Sequence, residues 1–178
     1  MNTTGLRPER VDALLAARSA ALAARSRASR EVEETRAYLV CACGAERYAL
    51  PLAEVSAVIS ACPVTPVPGS PAALLGVVAL SGSIVSVLAL GRMLGIQAGG
   101  VGHFVRLRGQ EPPVVLAVDR AVGVFEIGVT ASSASPFPGG LGGQAVSGYC
   151  PPDPNAAEGA REGCSILDLP RLLQPFLP

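Results

Sequence analysis

The chain of 178 residues contains no lysine, no tryptophan and a single histidine, and its aromatic fraction is 4%. Each shortage excludes something. A barrel that binds nucleic acid wants a basic stripe interleaved with rings on which bases stack. Here 14 arginines face 14 acidic residues for zero net charge, half of the arginines precede Ala37, and Arg106 and Arg108 form the one close basic pair after it. No bulk field would draw this chain to nucleic acid or to an anionic membrane. A Ser-His-Asp or Cys-His mechanism would have to use His103, and no motif sets a nucleophile beside it. No apolar run approaches the ~20 residues that cross a bilayer, and the N-terminus lacks the apolar core of a signal peptide. A cytoplasmic protein without direct membrane insertion is therefore expected. The five cysteines, at 41, 43, 62, 150 and 164, are odd in number and contain no C-x-x-C spacing, which argues against a disulfide framework or a zinc site and for reduced structural thiols. Gly139-Gly140-Leu141-Gly142-Gly143 has neither the strand-to-helix context nor the lysine of a phosphate cradle. No enzyme, cofactor or metal is expected.

Charge itself is scarce. Charged residues make up 16% of the chain against a usual ~25%, while 49% are hydrophobic. A surface with so little charge keeps apolar area uncovered, as an interaction protein would.

What is present is a string of β-type segments. From Tyr48 to Gly95 the chain reads as strands around a proline-rich crossover. Tyr48–Leu52 is a short apolar run containing Pro51, and Val55–Ala61 is rich in β-branched residues. Pro63, Pro66, Pro68 and Pro71 then force extended backbone. Leu74–Leu80 and Ile84–Leu90 flank Ser81-Gly82-Ser83, read as a three-residue hairpin connection with a bulge or a left-handed residue. Ala37–Cys43 turns through Gly44-Ala45-Glu46 into the Tyr48 strand, with Tyr38 and Tyr48 as core or rim aromatics. A glycine-rich linker, Gln97–Gly102, precedes a second unit that echoes the first. HFVRLRGQEPPVVLAVDRAVGVFEI follows YLVCACGAERYALPLAEVSAVI in order, and Ile166–Leu173 aligns with Val87–Leu94, each a strand passing into a short helix. Two copies of one small sheet predict two β-barrel subdomains packed together. Thr130–Ala145 and Pro151–Gly163, dense in Gly, Pro and Ser, read as long loops. Pro8 to about Ser29, alanine-rich with Val11, Leu14, Leu15 and Leu22 on one side, is the long helical candidate.

These residues carry a resemblance. Tyr-Ala-Leu-Pro-Leu, Val55 with Val58, Thr65-Pro66-Val67-Pro68-Gly69-Ser70-Pro71, Leu75-Gly76-Val77, Leu80-x-Gly82 and Leu94-Gly95 are similar to the CheW family of bacterial chemotaxis coupling proteins. Val118–Val122 and Ile166–Leu169 resemble its second half. The likeness covers about residues 37–174 and leaves 1–36 as a helical extension. It implies a mainly β domain of two small SH3-like five-stranded barrels, the first about 37–96, with a closing segment from the chain end allowed, and the second about 102–174. It further implies a non-catalytic adaptor. The partners would be the cytoplasmic tip of a methyl-accepting chemoreceptor and the regulatory domain of a CheA-type histidine kinase. Carried onto this chain, the receptor-facing groove falls on Val55 and Val58, with Ala57 beside them, and the kinase-facing edge on the crossover with Pro66 and Pro68 and on Gly76, while the hairpin Ser81-Gly82 is a candidate for either partner surface. Ser81 stands where the family usually has arginine, and Ala57 where it tends to have glutamate. Such losses mark a divergent, accessory adaptor that serves a particular receptor–kinase system or competes within it, since a charge-assisted contact is worth about 1.5–3 kcal/mol. The competing readings are a barrel that binds a small molecule, another protein or nucleic acid, and self-association through uncovered strand edges.

Overall fold

The computed structural model describes residues 35–97, 99–128, 144–152 and 162–176. The expected helix at 8–29, the glycine cluster at 139–143 and most of the two expected loops lie outside these residues. Within them the chain is mainly β, as expected. Ten strands and two short helices follow one another as two copies of one unit. The first copy is β1 (Thr35–Cys43), β2 (Glu46–Pro51), a 3-10 turn (Leu52–Glu54), β3 (Val55–Ser60), β4 (Leu74–Leu80), β5 (Ser83–Ala89) and α1 (Leu90–Leu94). The second is β6 (His103–Leu107), β7 (Val114–Val118), β8 (Arg120–Gly128), β9 (Val146–Cys150), β10 (Cys164–Leu167) and α2 (Leu169–Leu173). Both helices have local reasons to be short. Gly95 closes α1 in the left-handed conformation at φ 74°, and the Asp168 side chain caps α2 by accepting the Arg171 N–H at 3.0 Å, with Pro170 in the first turn.

The sheets do not follow the two halves of the sequence. One sheet has the order β8-β1-β2-β10-β9 and the other β3-β6-β7-β5-β4. Each copy lends its first hairpin to the sheet formed by the last three strands of the other. The division expected at residues 96–102 is therefore corrected: a hairpin of five to nine-residue strands exposes both faces, and here each is covered by strands of the opposite copy. The ladders also stay open among the described residues, with β8 and β9, and β3 and β4, at the edges, so the closed barrels of the sequence reading are not what the pairings form.

The duplication extends to the register. Ser86–Ala89 runs parallel to Val114–Ala117, as Ser165 and Ile166 run parallel to Tyr48 and Ala49. A bulge shifts the register between Val55 and Ala57 against β6, and the matching shift separates the partners Ala121 and Gly123 on β8. The break at Leu74/Gly76 on β4 has its twin in the step from Gly148 to Val146 on β9.

Three apolar clusters result. The inner face of the first sheet holds Tyr38, Val40, Ala49, Ile127, Cys164 and Ile166. That of the second holds Val78, Val85, Val87, Phe104, Val115 and Ala117. The largest cluster draws on both sheets and both helices: Leu39, Cys41, Cys43, Tyr48 and Leu50 meet Val105, Leu107, Val114, Leu116, Leu90, Met93, Leu169 and Leu172. Alternation assigns the faces, so Leu39 and Cys41 serve the shared core while Tyr38 and Val40 serve their own sheet. β7, apolar throughout, is buried at every position, because it has a core on each side.

At the two places where the chain passes from one sheet to the other, a charged side chain clamps backbone. Between β7 and β8 the Asp119 carboxylate accepts N–H groups of Gly44 at 2.6 Å, Gly99 at 2.7 Å and Gly100 at 3.3 Å. Between β2 and β3 the Arg108 guanidinium donates to the carbonyls of Ala53 at 3.2 Å and Val55 at 3.1 Å, and the Arg108 N–H to Glu54 O at 2.8 Å. Burial would raise the Asp119 carboxyl, but the three N–H donors outweigh it and hold the group below its ordinary value.

Replacing Asp119 by asparagine is expected to cost about 1–2 kcal/mol of unfolding free energy, the low end for charged hydrogen bonds because water screens the group. Since the folded carboxyl is the stronger acid, this contribution is complete above about pH 4 and is lost as pH falls through the folded value. Urea unfolding of wild type and Asp119→Asn should show the gap closing from pH 7 to about pH 3.

Candidate protein-binding surface

The residues singled out from sequence fall on the two edges of the second sheet. On β3, Val55 turns inward; it is 7% exposed and belongs to the shared core, so a partner cannot reach it, and its assignment to a groove is corrected. The bulge after it reorients the strand. Ala57, paired with Arg106, and Val58, paired with Val105, are both exposed, Val58 to 40%. The side chain of Ser56, the extra residue of the bulge, bonds back to Arg106 O at 3.1 Å.

The other edge is partly covered by the chain's own crossover. Thr65 and Val77 exchange two backbone bonds, Thr65 N–H to Val77 O at 2.9 Å and Val77 N–H to Thr65 O at 2.8 Å. Pro66 and Pro68, exposed just beyond, are thus held against β4 and cannot donate to a further strand. Gly76 permits the approach: it is buried at φ +145°, and a Cβ there would lie 2.1 Å from the Thr65 carbonyl oxygen. Its bare Cα seats the crossover against β4. In strand order, Ala57 and Val58 lie at the opposite edge from Pro66, Pro68 and the β4–β5 hairpin.

At that hairpin Leu80 pairs directly with Ser83, so the connection has two residues rather than the expected three. Ser81 at φ 50° and Gly82 at φ 79° are both left-handed, as a two-residue turn matching the strand twist requires. Both are exposed. Beside them stands Ile84, 74% exposed, which the sequence reading passed over. Its signal was period-two alternation in Ser83–Ala89: Val85 and Val87 fill the sheet's inner face, which turns Ile84 and Ser86 the other way. Val67, 38% exposed on the crossover, was passed over as well.

The duplication supplies a further exposed position. Val124 on β8 pairs with Leu39 as Val58 pairs with Val105, beyond the matching bulge, and it is 53% exposed. Each sheet thus carries an edge strand with one outward valine. A groove of about 450 Å³ also opens among Leu75, Ala89, Arg92, Ile96, Val101 and Ala117. Arg92 at its rim is fixed by donating to Ala72 O at 2.9 Å. Val101 in its wall is 45% exposed.

The thiols and phenols of the shared core are of another kind. Burial, helped by the neighbouring Cys43, pushes Cys41 up to about 12, and burial pushes Cys43 up to about 11. Such thiols stay protonated, and these two are closed off in the shared core. Tyr48, raised by burial and by its hydrogen bond to Glu46, is a core residue whose hydroxyl donates to that carboxylate. Among the described residues no group of three His, Cys, Asp or Glu side chains could hold a metal ion, and no helix is long and apolar enough to cross a membrane.

The model of the CheW-like domain family matches residues 37–175. The chain belongs to that family. Among solved structures the fold is similar to the crystal structure of scaffolding protein TtCheW from Thermoanaerobacter tengcongensis, with a TM-score of 0.64 and 21% sequence identity over 79% of this chain and 93% of that one. At this identity the likeness is one of fold. No curated protein matches the sequence. The match spans the strands of the described residues but for the first two residues of β1, and what distinguishes this member is the side chains on its edges.

Two substitutions separate scaffold from surface in this CheW-like domain. Gly76→Ala should destabilise by at least about 3 kcal/mol, because backbone on both sides prevents relief. Ser81→Gly should stabilise by about 0.5–1 kcal/mol, by removing left-handed strain from a side chain that touches no core. Chemical denaturation of both variants checks the opposite signs.

Proposed function

We propose that this protein is a non-catalytic adaptor of a bacterial chemosensory system, in which it couples the cytoplasmic tip of a methyl-accepting chemoreceptor to the regulatory domain of a CheA-type histidine kinase. The observation that carries this reading is the set of outward apolar residues on rigid edges of a CheW-family domain, Val58, Val67 and Ile84 with Pro66 and Pro68 beside them. Valines on a paired strand and prolines on a pinned crossover lose little freedom when a partner covers them, so more of their burial energy appears as affinity. Full burial of one such side chain is worth about 1.5–3 kcal/mol. Three of them, less the cost of association, support binding in the range of about 1–50 µM. Ala57 and Ser81 bring no charge to this surface, which favours a partner whose own surface is equally uncharged there.

The test is titration of the purified protein against the kinase regulatory domain and the receptor tip from its own organism. Binding to at least one is expected, weakened tenfold or more by Val58→Asp or Ile84→Asp, each with an unchanged melting temperature, and changed clearly by Ser81→Arg. Absence of binding to both at about 50 µM would overturn the reading.

A further inference from the structure

Two of the five cysteines face each other. Cys150, the last residue of β9, and Cys164, the first of β10, are direct partners in an antiparallel pair, and both pack into the inner cluster of the first sheet. Their side chains therefore leave the sheet on the same side. The duplication confirms the placement: the equivalent pair in the second sheet is Val78 and Val85, also directly opposed and both in that sheet's inner cluster. Directly opposed residues on neighbouring antiparallel strands stand with Cα atoms ~4.5–5.5 Å apart, inside the ~4.4–6.8 Å that a disulfide spans. Burial, helped by the neighbouring Cys150, pushes the Cys164 thiol up to about 12. All five cysteines are in the thiol form. Cys164 borders a cleft of about 200 Å³ whose lining includes Arg47, Tyr149 and Gly163, and Cys150 is itself only half-buried, so a small oxidant can come up to the pair. Cys41 and Cys43 have no such access in the shared core, and Cys62, half-buried on the crossover, has no cysteine opposite.

We propose that Cys150 and Cys164 form a redox pair that hydroperoxides convert, in the folded protein, to a reversible intramolecular disulfide. Cys150, the more exposed of the two, reacts first. Its sulfur attacks a peroxide oxygen, an S–O bond forms as the O–O bond breaks, and the departing hydroxide takes the thiol proton to leave as water. The Cys164 sulfur then attacks the sulfenic sulfur; the S–S bond forms, the S–O bond breaks, and the Cys164 proton leaves with the oxygen as a second water. In sum, two thiols and one peroxide give one disulfide and two waters, and thiols such as glutathione reverse it. The bond would tie the end of β9 to the start of β10. In a reducing cytoplasm such bonds are transient and signal oxidation.

The experiment exposes the full-length protein to a few equivalents of hydrogen peroxide, then alkylates, digests and maps it. Expected are titratable thiols falling from five to three, a Cys150–Cys164 linked peptide that dithiothreitol removes, and a melting temperature raised by about 5–10 °C in the oxidised form. Cys62→Ser should leave all of this unchanged and Cys150→Ser should abolish it. The mapping of wild-type protein stands even where a variant fails to fold. Oxidation that stops at sulfinic acid on Cys150, a linked peptide that forms equally in denatured protein, or crosslinking through Cys62 between molecules would each overturn the proposal.

Discussion

The structure depends on a reciprocal exchange. Each copy of the repeat builds three strands of a sheet and leaves the space beside them for a hairpin that only the other copy provides. A hairpin such as β1–β2 cannot hold itself together in water, and three-stranded remnants would expose both inner faces. The exchange removes both problems at once, and it does so by creating the largest apolar cluster of the molecule, to which both sheets and both helices contribute. Closing the contacts costs loop entropy across the whole chain, so the stability of one half is inseparable from that of the other. Asp119 and Arg108 sit where this dependence is sharpest. Each takes the backbone of one copy and fixes it to the turn or crossing of the other.

A rigid exchanged core has a consequence for the surface. Because edges of the sheets are pinned from behind, the side chains on them need little additional ordering to bind, and the surface can do without charge. Edge strands are ordinarily protected from unwanted pairing by charge, proline or bulges. This chain uses the latter two: Pro66 and Pro68 follow the short bridge of Thr65 to β4, and a bulge distorts both β3 and β8 near their starts. The outward valines therefore stand on strands that resist sheet extension, which favours side-chain contact with a partner over strand addition.

Much of this was legible in the residues. Apolar and β-branched runs, proline placement and the serine-glycine turn located the strands of the first copy, and the echo of YLVCAC in HFVRLR revealed the duplication. The family resemblance rested on the same glycines and prolines that the structure uses to seat the crossover, above all Gly76. What the sequence could not express is which hairpin joins which sheet. The apolar faces of β1 and β6 are interchangeable in pattern, and the choice is made by burial summed over both copies, not by any local signal. The misplacement of Val55 follows from this. In a self-contained first barrel its neighbour Val58 and it would share an outer strand, but the exchange puts Leu107 and the shared core behind Val55. The extra residue at Ser56 sets both valines opposite shared-core residues, and Val58 is exposed because it lies further along the edge strand, where nothing covers it among the described residues.

The two copies also act as controls on each other. Where equivalent positions agree, the fold demands it: Leu88 with Leu167, Leu90 with Leu169 and Met93 with Leu172 all fill the shared core. Where they agree on the surface, as Val58 and Val124 do, each sheet keeps the same feature outside the core, which packing alone does not require. Where they differ, one sheet has been specialised. Ile84, largely exposed beside the hairpin, corresponds to Gly163, and the buried Val78–Val85 contact corresponds to the thiol pair. Two dissimilar surfaces on one rigid body are what the proposed coupling of two unlike partners would need. Duplication followed by divergence at a few edge positions produces that arrangement while leaving the common core untouched, because side chains that point away from all three clusters can change without altering how the strands exchange.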